Sequence, residues 1–364
     1  MKARSLHSTL TADARIRLTL DDLDLGEPAP DEVIVRVDAT PVNPTDLALM
    51  LSGADLSRAA VKDGAVEAPV PSVVVQMFPG RVDQRLPVGS EGSGTVVAAG
   101  ANAQPLLGKL VATSGGMFAT HRKLPAAAVR ELPAGATAEQ GASSFVNPVT
   151  ALSFVETMRA EGHKAIVHTA AASNLGQMLV KICAADKVPL VNIVRKPEQV
   201  AQLRTLGAEY VLDSSTPTFR EDLVNAIGAT GATLAFDAIG GGSLGSQILD
   251  AMERVAVRSM TTFSHYGSPA LKQLYIYGGL DRSPTQLTRT FGLTWSVAGY
   301  LVMNALKKLG PEAANRMFRR VASELTTTFA SHYTARITLD QLLDLETLRA
   351  CARMSTGEKY LIVQ

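Results

Sequence analysis

The spacing of apolar residues along the chain changes near residue 141. Before this point, segments in which apolar and polar residues alternate, such as residues 15–20 and 32–39, predict β-strands. Residues 53–88, which Pro and Gly interrupt, are interpreted as an extended loop or a hairpin. After residue 141, apolar segments of strand length alternate with segments of helical periodicity as far as residue 253. Because strands that alternate with helices predict a parallel, doubly wound sheet, we expect an α/β protein.

A βαβ unit between residues 164 and 196 is the most clearly patterned stretch of the second part. A short apolar strand, 165–169, leads into the small or turn-prone residues 170–174. Apolar residues then recur on one face of a helix, and they are Leu175, Met178, Leu179, Ile182 and Cys183. The strand 190–194 completes the unit. The first turn of such a unit is where a dinucleotide places its pyrophosphate.

The glycine fingerprint of this turn is incomplete. Where G-x-G-x-x-G is expected, the chain has Ala171, Ser173 and Gly176, so only the glycine that permits close packing of helix and strand is kept. Ser173 and Asn174 can add donors beside the free N–H groups at the start of the helix. The same residues are equally consistent with a connection that merely requires small side chains.

Arg195 and Lys196 follow the second strand at the position where an NAD site carries Asp or Glu, about 20 residues after the turn. An acidic residue there binds the ribose 2′-hydroxyl, whereas two cations suit a 2′-phosphate. The pair therefore predicts NADPH rather than NADH. The alternative is a solvated pair at the start of the next helix, where Pro197 fits the first helical position.

The composition is that of a globular protein without a strong charge. The 364 residues carry a net charge of +1, with 46% hydrophobic residues, so we expect neither nucleic acid nor a membrane surface as the main partner. No apolar stretch is long enough to span a bilayer, and no secretory signal follows Met1. Cys183 and Cys351 are too few for a disulfide framework, so we expect a cytoplasmic protein.

Five segments occur in the order found in the medium-chain dehydrogenases/reductases, and the chain resembles this family over nearly its whole length. They are residues 33–47, 87–100, 146–151, 206–211 and 235–241. The resemblance implies a β-rich, GroES-like substrate domain formed by residues 1–140 and 305–364. It also implies a doubly wound Rossmann domain, residues 141–304, that binds NADP, with the cleft between the domains. A homodimer paired through the edges of the cofactor sheets is implied as well, and residues 255–263 are the candidate edge strand.

The sequence predicts no metal site. Zinc-containing members of the family carry Cys where this chain has Asn43, and His where it has Ser90 before Glu91. The lobe with four cysteines is absent, and the histidines lack the spacing of metal ligands. Without a Lewis acid an alcohol is not polarised for oxidation, so we expect NADPH-dependent reduction of a quinone or a conjugated carbonyl.

The closest local resemblance is to enoyl-thioester reductases of the mitochondrial type, and it implies a set of cofactor contacts. Tyr277 and Tyr300, taken singly, are more typical of packed aromatic residues, and Gly278–Gly279 is a turn on any interpretation. Thr150 and Phe263 are expected near the nicotinamide. The implied cofactor-binding residues are Asn147, Thr150, Ala172, Ser173, Asn174, Leu175, Gly176, Arg195, Lys196, Phe263, Tyr277, Gly278, Gly279, Leu280, Tyr300, Leu301, Val302 and Lys359.

The acceptor stays open between two reactions. Enoyl reductases use a tyrosine of the substrate domain as the proposed proton donor, but the chain has no tyrosine between Leu47 and Leu86. Because the carbanion left by enoyl reduction must be protonated, this absence favours a quinone or enone. Candidate catalytic residues are Asn43 and Thr150, as polar contacts, and His265, after a predicted strand 260–263, as a proton donor. Asn43 is equally consistent with a helix cap, and a lone loop histidine is commonly just exposed.

Two other classes of function are consistent with the sequence. The protein could bind NADPH without useful turnover, as a sensor or structural protein. It could also work with acidic carrier proteins, for which Arg316, Arg319 and Arg320 on one helix supply a basic face. A solvated helix face explains the same three residues.

Overall fold

A computed structural model describes residues 1–353 and 358–364 of the chain. Contacts divide the chain into two compact units, Met1–Val146 with Ala322–Gln364, and Asn147–Val321. The strands are β1 (Lys2–Thr11), β2 (Arg15–Asp24), β3 (Glu32–Pro41), β4 (Ala60–Lys62), β5 (Ala65–Pro69), β6 (Arg85–Pro87), β7 (Glu91–Ala99), β8 (Leu110–Ser114), β9 (His121–Pro125), β10 (Arg130–Glu131), β11 (Ile166–His168), β12 (Leu190–Val194), β13 (Tyr210–Asp213), β14 (Leu234–Asp237), β15 (Gly240–Gly242), β16 (Lys272–Ile276), β17 (Asp281–Thr285), β18 (Trp295–Gly299), β19 (Ala335–Ile337) and β20 (Tyr360–Val363).

Helices connect many of these strands, most regularly in the second unit. They are α1 (Pro44–Leu51), α2 (Ser72–Met77), α3 (Ala138–Gly141), α4 (Val146–Ala160), α5 (Asn174–Asp186), α6 (Pro197–Thr205), α7 (Phe219–Thr230), α8 (Leu244–Arg258), α9 (Val302–Ser323) and α10 (Leu345–Ala352). None of the helices in the described part of the chain combines the length and the apolar character that a bilayer crossing requires.

The first unit contains two sheets. One has the strand order β4-β5-β2-β1-β6, and its long β1–β2 hairpin places Leu6 opposite Leu20. The other has the order β10-β8-β7-β3-β20-β19, with β9 also paired to β3. The β-branched residues Val33, Val35 and Val37 of β3 are fully buried, as expected for a central strand. The β-rich first part predicted from the sequence is therefore confirmed.

The second unit is built on a six-stranded sheet with the order β13-β12-β11-β14-β16-β18, in which every pairing is parallel. Counted within this unit, the order is 3-2-1-4-5-6, which is that of the Rossmann fold. Val167 of β11 lies between Val191 of β12 and Ala235 of β14, and all three are fully buried. The doubly wound parallel sheet predicted from the alternation of strands and helices is confirmed.

The predicted edge strand 255–263 is wrong. Helix α8 continues to Arg258, and residues 259–271 form neither helix nor strand. The reason is that Ile248, Leu249 and Met252 continue one helical apolar face toward Val255, so the apolar residues after 254 are in phase with the helix. The fifth strand of the sheet is β16, and β18 is at its edge. Residues 260–263, also predicted as a strand, belong to the connection 259–271 that follows the helix.

The boundary at the end of the second unit lies within helix α9. The helix is interrupted at Gly310, which has a φ of +85°, and Pro311 follows. Three of its cations form ion pairs within the unit: Lys308 with Glu161, Arg316 with Glu156, and Arg320 with Asp186. The unit continues to Val321, beyond the limit of 304 expected from the sequence. Of the three arginines considered for carrier binding, two are thus engaged in ion pairs.

Candidate functional site

The turn between β11 and α5 has the geometry of an anion-binding helix start. Ala170 adopts a φ of +50°, which is unusual for a residue with a side chain. Ser173 is the N-cap of α5, and its hydroxyl accepts a hydrogen bond from the Gly176 N–H at 3.2 Å. Helix starts of this kind leave N–H groups free for an anion. Ala172, Ser173 and Asn174 of the predicted set thus lie together at one helix terminus.

Gly176 fits only because it lacks a side chain. A Cβ atom at this position would lie 2.6 Å from the carbonyl carbon of Ala171. The helix consequently approaches the end of the strand more closely than any other residue would allow. This is the role predicted for the one glycine that the fingerprint retains. Leu175 beside it is buried.

Arg195 and Lys196 lie at the carboxyl end of β12, next to this turn in the sheet order. Both are exposed, and Lys196 is the N-cap of α6. The backbone N–H of Arg195 donates to Gln199 Oε1 at 3.1 Å, whereas neither side chain has a partner within the described residues. Two cations therefore stand free at the end of the second strand.

A buried hydrogen-bond network that the sequence analysis missed joins the carboxyl ends of β11 and β14. The Thr169 hydroxyl donates to Asp237 Oδ1 at 2.6 Å and accepts from the Ala238 N–H at 2.9 Å. Asp237 also accepts from the N–H groups of Ile239 and Gly240. A polar residue that ends each of two apolar strands was the signal that could have predicted it.

The tyrosines Tyr277 and Tyr300 follow the carboxyl ends of β16 and β18, but their hydroxyl groups point into the unit. The Tyr277 hydroxyl lies 2.7 Å from His168 Nε2. The Tyr300 hydroxyl donates to Ser153 Oγ at 2.9 Å and lies 2.9 Å from Thr157 Oγ1. The rings form a cluster with Phe154, Phe236 and Tyr275. As the sequence suggested for each taken singly, these are packed aromatic residues.

His168 is held as a neutral imidazole in this cluster. Its side chain is fully buried, and burial lowers its pKa to about 3. Nδ1 has no hydrogen-bond partner within the described residues. Burial raises the pKa of Tyr277 above its usual value. Burial disfavours the charged form of each group, and this accounts for both directions.

The backbone after Tyr277 packs against the segment after β14. A Cβ atom on Gly278 would lie 2.6 Å from the carbonyl oxygen of Ala238, and the Leu280 N–H donates to that same oxygen at 3.1 Å. Gly279 has open space around it, and the side chain of Leu280 is exposed. The predicted Tyr-Gly-Gly-Leu turn therefore lies at the carboxyl end of the sheet, as the turn between β11 and α5 does.

The remaining predicted residues of this unit lie at α4 and at the start of α9. Asn147 and Thr150 lie in the first turns of α4, where the Thr150 carbonyl accepts from the Ser153 hydroxyl at 2.7 Å. Leu301 is 57% exposed just before α9, and Val302 is its first residue.

His265 and Phe263 do not lie where the sequence analysis expected them. Both belong to the connection 259–271, which leads into the amino end of β16. The turn between β11 and α5 lies at the carboxyl end of the same parallel sheet. Phe263 and His265 therefore lie at the opposite end of the sheet from the turn beside which the sequence predicted them. The error arose because residues 260–263 were interpreted as the fifth strand of the sheet, whereas that strand is β16.

In the first unit, Asn43 belongs to a buried cluster with two carboxylates. Its backbone N–H donates to Asp46 Oδ2 at 2.8 Å, and its side-chain amide donates to Glu91 Oε1 at 2.9 Å. Asp46 Oδ1 accepts from the Ser90 N–H at 2.6 Å. Asn43 is the N-cap of α1 and is 1% exposed. Asn43 is thus a helix cap by its position, and its side-chain amide is a hydrogen-bond donor to Glu91.

Glu91 and Lys359 complete this cluster. Glu91 Oε2 accepts from the N–H groups of Phe145 at 2.8 Å and Val146 at 2.9 Å. Burial raises the pKa of Glu91, and the charge of Lys359 opposes this shift. Lys359 is 9% exposed, its ammonium lies 5.8 Å from the Tyr333 ring centroid, and Nζ has no hydrogen-bond partner within the described residues. Burying an ammonium group without a hydrogen-bond acceptor costs free energy, and a ligand that accepts a hydrogen bond from it would offset this cost.

Burial dominates the protonation of the cluster. It raises the pKa of Asp46 to about 6, against the hydrogen bonds from Ser90 and Asn43, and it lowers the pKa of Lys359. The nearby Glu91 raises the pKa of Asp46 further, because like charges disfavour ionisation. Nowhere in residues 1–353 and 358–364 do three or more His, Cys, Asp or Glu side chains come together as a metal-binding group.

Comparisons with known proteins find relatives by sequence and by structure. No family model matches the chain. A mitochondrial enoyl-[acyl-carrier-protein] reductase 1 of Candida tropicalis is 29% identical over 252 residues, which are 62% of this chain and 60% of that protein. A squalestatin hexaketide synthase of Phoma sp. is 27% identical over 162 residues, which are 42% of this chain and 6% of the synthase. The chain thus spans less than two thirds of these relatives.

Solved structures resemble the chain over its whole length. A protein described as an NADPH:quinone reductase from Mesorhizobium loti has a TM-score of 0.73 at 23% identity, covering 100% of this chain and 98% of that one. The complex of Etr1p with NADP and crotonyl-CoA has a TM-score of 0.70 at 20% identity, with 100% of both chains covered. The chain therefore has the fold of the medium-chain dehydrogenases/reductases, with a GroES-like and a Rossmann domain, as its motifs predicted.

Proposed function

We propose that the chain is an NADPH-dependent oxidoreductase that delivers hydride to a quinone or a conjugated enone without a metal ion. The observation that carries the proposal is the pair Arg195 and Lys196, exposed and without a partner in the described residues at the carboxyl end of β12. A ribose 2′-phosphate would supply the missing negative charge. The similarity to proteins described as an NADPH:quinone reductase and as a complex with NADP supports this choice.

The residues present fit NADPH in both units. In the second unit, the start of α5 at Ser173 would take the pyrophosphate, and Arg195 with Lys196 would take the 2′-phosphate. In the first unit, the buried Lys359 ammonium lacks a hydrogen-bond acceptor within the described residues, which fits a polar group of a ligand. When bound, NADPH supplies the hydride, and the protein supplies orientation and electrostatics.

The Asn43 cluster would position Lys359 rather than touch the acceptor. Asn43 is buried and its amide is bonded to Glu91, so it fixes the carboxylate that faces the Lys359 charge. We therefore propose Asn43 as a positioning residue. Thr150 is proposed as a polar contact near the nicotinamide and the acceptor oxygen.

Reduction of a trans-2-enoyl thioester is the second candidate. It is favoured by the similarity to the C. tropicalis enoyl reductase and to the complex that contains crotonyl-CoA. This reaction needs a protonated donor for the carbanion. The hydroxyl groups of Tyr277 and Tyr300 are bonded inside the aromatic cluster, and His265 lies at the other end of the sheet. A quinone or an enone, which can take its proton from water, is therefore our first choice.

The test is NADPH oxidation, followed by absorbance, with a quinone, an enone and an enoyl thioester side by side. Turnover of the quinone or the enone alone is the expected result. Turnover of the thioester alone would replace our first choice by the second. Binding of NADPH with no turnover of any acceptor would instead support a protein that binds the cofactor without acting as an enzyme.

Two further expectations stay proposals. We propose a homodimer joined through β18, which has a paired neighbour on only one side in the described residues. Sedimentation of the purified protein tests it, and a monomer would contradict it. We also propose a cytoplasmic location, with which the free and buried Cys183 and Cys351 agree.

A further inference from the structure

A shallow cavity of about 910 Å³ that is wide open to solvent lies in the second unit, apart from the turn between β11 and α5 that we propose for the cofactor, called the cofactor turn below. It is lined by the last turn of α8, the connection 259–271 and the residues that precede β18. These segments meet at the amino ends of β16 and β18, whereas the cofactor turn leaves the carboxyl end of β11 in the same parallel sheet. Because a strand of five residues is about 16 Å long, the two sites open at opposite ends of the sheet.

The floor of the cavity is preformed around Glu253. The carboxylate accepts from the buried Lys272 ammonium and from the backbone N–H of Ser268 at 2.7 Å. Two glycines close on it: a Cβ atom on Gly292 would lie 2.7 Å from Glu253 Oε1, and one on Gly267 would lie 2.6 Å from the Cα of Gly292. The segments that carry Gly267 and Gly292 therefore both pack against the Glu253 carboxylate. The ammonium of Lys272 balances the charge of this carboxylate.

The walls carry three arginines without partners. Arg254 and Arg258 are one turn apart on α8, and Arg289 faces the same cavity. All three are exposed, and none has a hydrogen bond or an ion pair within the described residues. The nearby Asp250 accepts a hydrogen bond from the Thr290 hydroxyl at 2.9 Å. Like charges four residues apart destabilise a helix, so an anionic ligand would relieve an unfavourable arrangement.

Aromatic and aliphatic side chains stand exposed between these cations. Phe263 is 89% exposed, Tyr266 59% and Leu293 71%. The rings of His265 and Tyr266 are 3.8 Å apart between centroids. The connection that carries the rings has 13 residues without helix or strand, from Ser259 to Leu271, and loops of this length in compact domains are commonly functional.

We propose that this cavity binds a nucleoside diphosphate or triphosphate. The guanidinium groups of Arg254, Arg258 and Arg289 would hold the phosphates, because their planar forks match phosphate oxygens. The rings of Phe263 and Tyr266 would stack on the base. The volume lies within the range of ligand pockets, and the open mouth would leave part of the ligand exposed to solvent. The site does not involve the cofactor turn, so the inference is independent of the proposed hydride transfer.

The experiment is calorimetric titration of the whole protein with ADP in the presence of saturating NADP⁺. One further equivalent of ADP per chain is expected to bind. The double variant R254Q/R258Q should weaken this binding by about a hundredfold, since each hydrogen-bonded phosphate contact contributes about tenfold. The matched control R220Q replaces an exposed arginine of α7 and should leave the binding unchanged. Retained binding of NADP⁺ shows that each variant is folded.

A second variant separates this site from the cofactor turn. In R195A, the part of the ADP binding that R254Q/R258Q removes should remain intact, even if NADP⁺ no longer binds. The inference is overturned if no additional ADP binds, or if R254Q/R258Q binds ADP like the wild type. It is also overturned if the double variant changes only the sedimentation of the protein, because the occupant would then be a second copy of the chain.

Inorganic pyrophosphate tests the contribution of the base. ADP is expected to bind more tightly than pyrophosphate, and F263S should narrow that difference while leaving pyrophosphate binding unchanged. Equal affinity for ADP and pyrophosphate in the wild type would overturn the assignment of a nucleotide.

Discussion

The backbone of Gly176 lies so close to Ala171 that a Cβ atom added to the glycine would sit 2.6 Å from the Ala171 carbonyl carbon. A carbonyl of the backbone cannot move aside as a flexible side chain can. Gly176→Ala should therefore shift the start of α5, lower the free energy of unfolding by about 1–3 kcal/mol and weaken NADPH binding. Chemical denaturation and a binding titration measure the two effects.

Gly228→Ala is the matched control for this variant. Gly228 lies inside α7, and an added Cβ would have ordinary contact with Val255 at 3.8 Å. Alanine in a helix interior is more stable than glycine by about 0.5–1 kcal/mol, so this variant should be more stable than the wild type. If both variants were equally destabilised, the explanation by close packing at Gly176 would fail.

Arg195→Ala should weaken NADPH binding more than NADH binding. The side chain is exposed without a partner in the described residues, so its removal costs little in folding. We expect a loss of about tenfold to a hundredfold for NADPH, the range for a charge-assisted phosphate contact. Arg204→Gln, at an exposed position later in α6, is the control. Equal losses for both nucleotides would refute the assignment of the 2′-phosphate.

Acid should destabilise the protein partly through His168. Its pKa is about 3 in the folded chain against 6.5 for the free side chain, so the unfolded chain binds more protons between these values. The stabilisation is complete above about pH 6.5 and is lost as the pH falls toward 3. From pH 7 to pH 5 this amounts to about 2 kcal/mol.

His168→Gln removes the titrating group and leaves an acceptor for the Tyr277 hydroxyl. Urea unfolding of both proteins at several pH values between 5 and 7 measures the difference. The wild type should lose about 2 kcal/mol more than the variant over that range. Parallel curves would mean that His168 is not buried as a neutral group.

Asn43→Ala distinguishes a positioning role from direct contact with the acceptor. The substitution leaves Glu91 without one of its donors in a buried site, so we expect a loss of about 1–3 kcal/mol in unfolding free energy. The KM for NADPH should rise, because Glu91 is opposite the Lys359 charge. A fall in kcat alone, with stability unchanged, would instead indicate contact with the acceptor.

Asn102→Ala is the control on the surface. Its amide donates to Asp31 Oδ1 at 2.8 Å, but the bond is exposed to solvent. The variant should stay within about 0.5 kcal/mol of the wild type and should leave the KM unchanged. A loss as large as that of Asn43→Ala would show that burial is not what sets the energy of the Asn43–Glu91 bond.

The sequence predicted those features that depend on neighbouring residues. The helical spacing around Leu175 and the small residues before it were enough to place α5 and its turn, because both are determined locally. Arg195 and Lys196, the cations after β12, could likewise be placed from their position directly after the predicted strand. In the segment 53–88, the structure has a β4–β5 hairpin, whose turn contains Asp63 and Gly64 with positive φ, and the helix α2.

The remaining features depend on contacts between distant parts of the chain. Glu91 and Lys359 meet because β20 joins β3 in the sheet of the first unit, and no local pattern records that pairing. A short apolar run such as 255–263 is ambiguous between helix and strand, and in the structure its first residues, as far as Arg258, continue α8. Because of that error, the predicted positions of Phe263 and His265 were at the wrong end of the sheet.

The strand β20 has a consequence for the order of folding during synthesis. It lies between β3 and β19, so the sheet that begins within the first 41 residues lacks an interior strand until Tyr360–Val363 has been made. The second unit is one continuous stretch, Asn147–Val321, and can assemble its sheet as soon as it leaves the ribosome. We therefore expect the Rossmann part to fold first, and the first unit to wait for Tyr360–Val363.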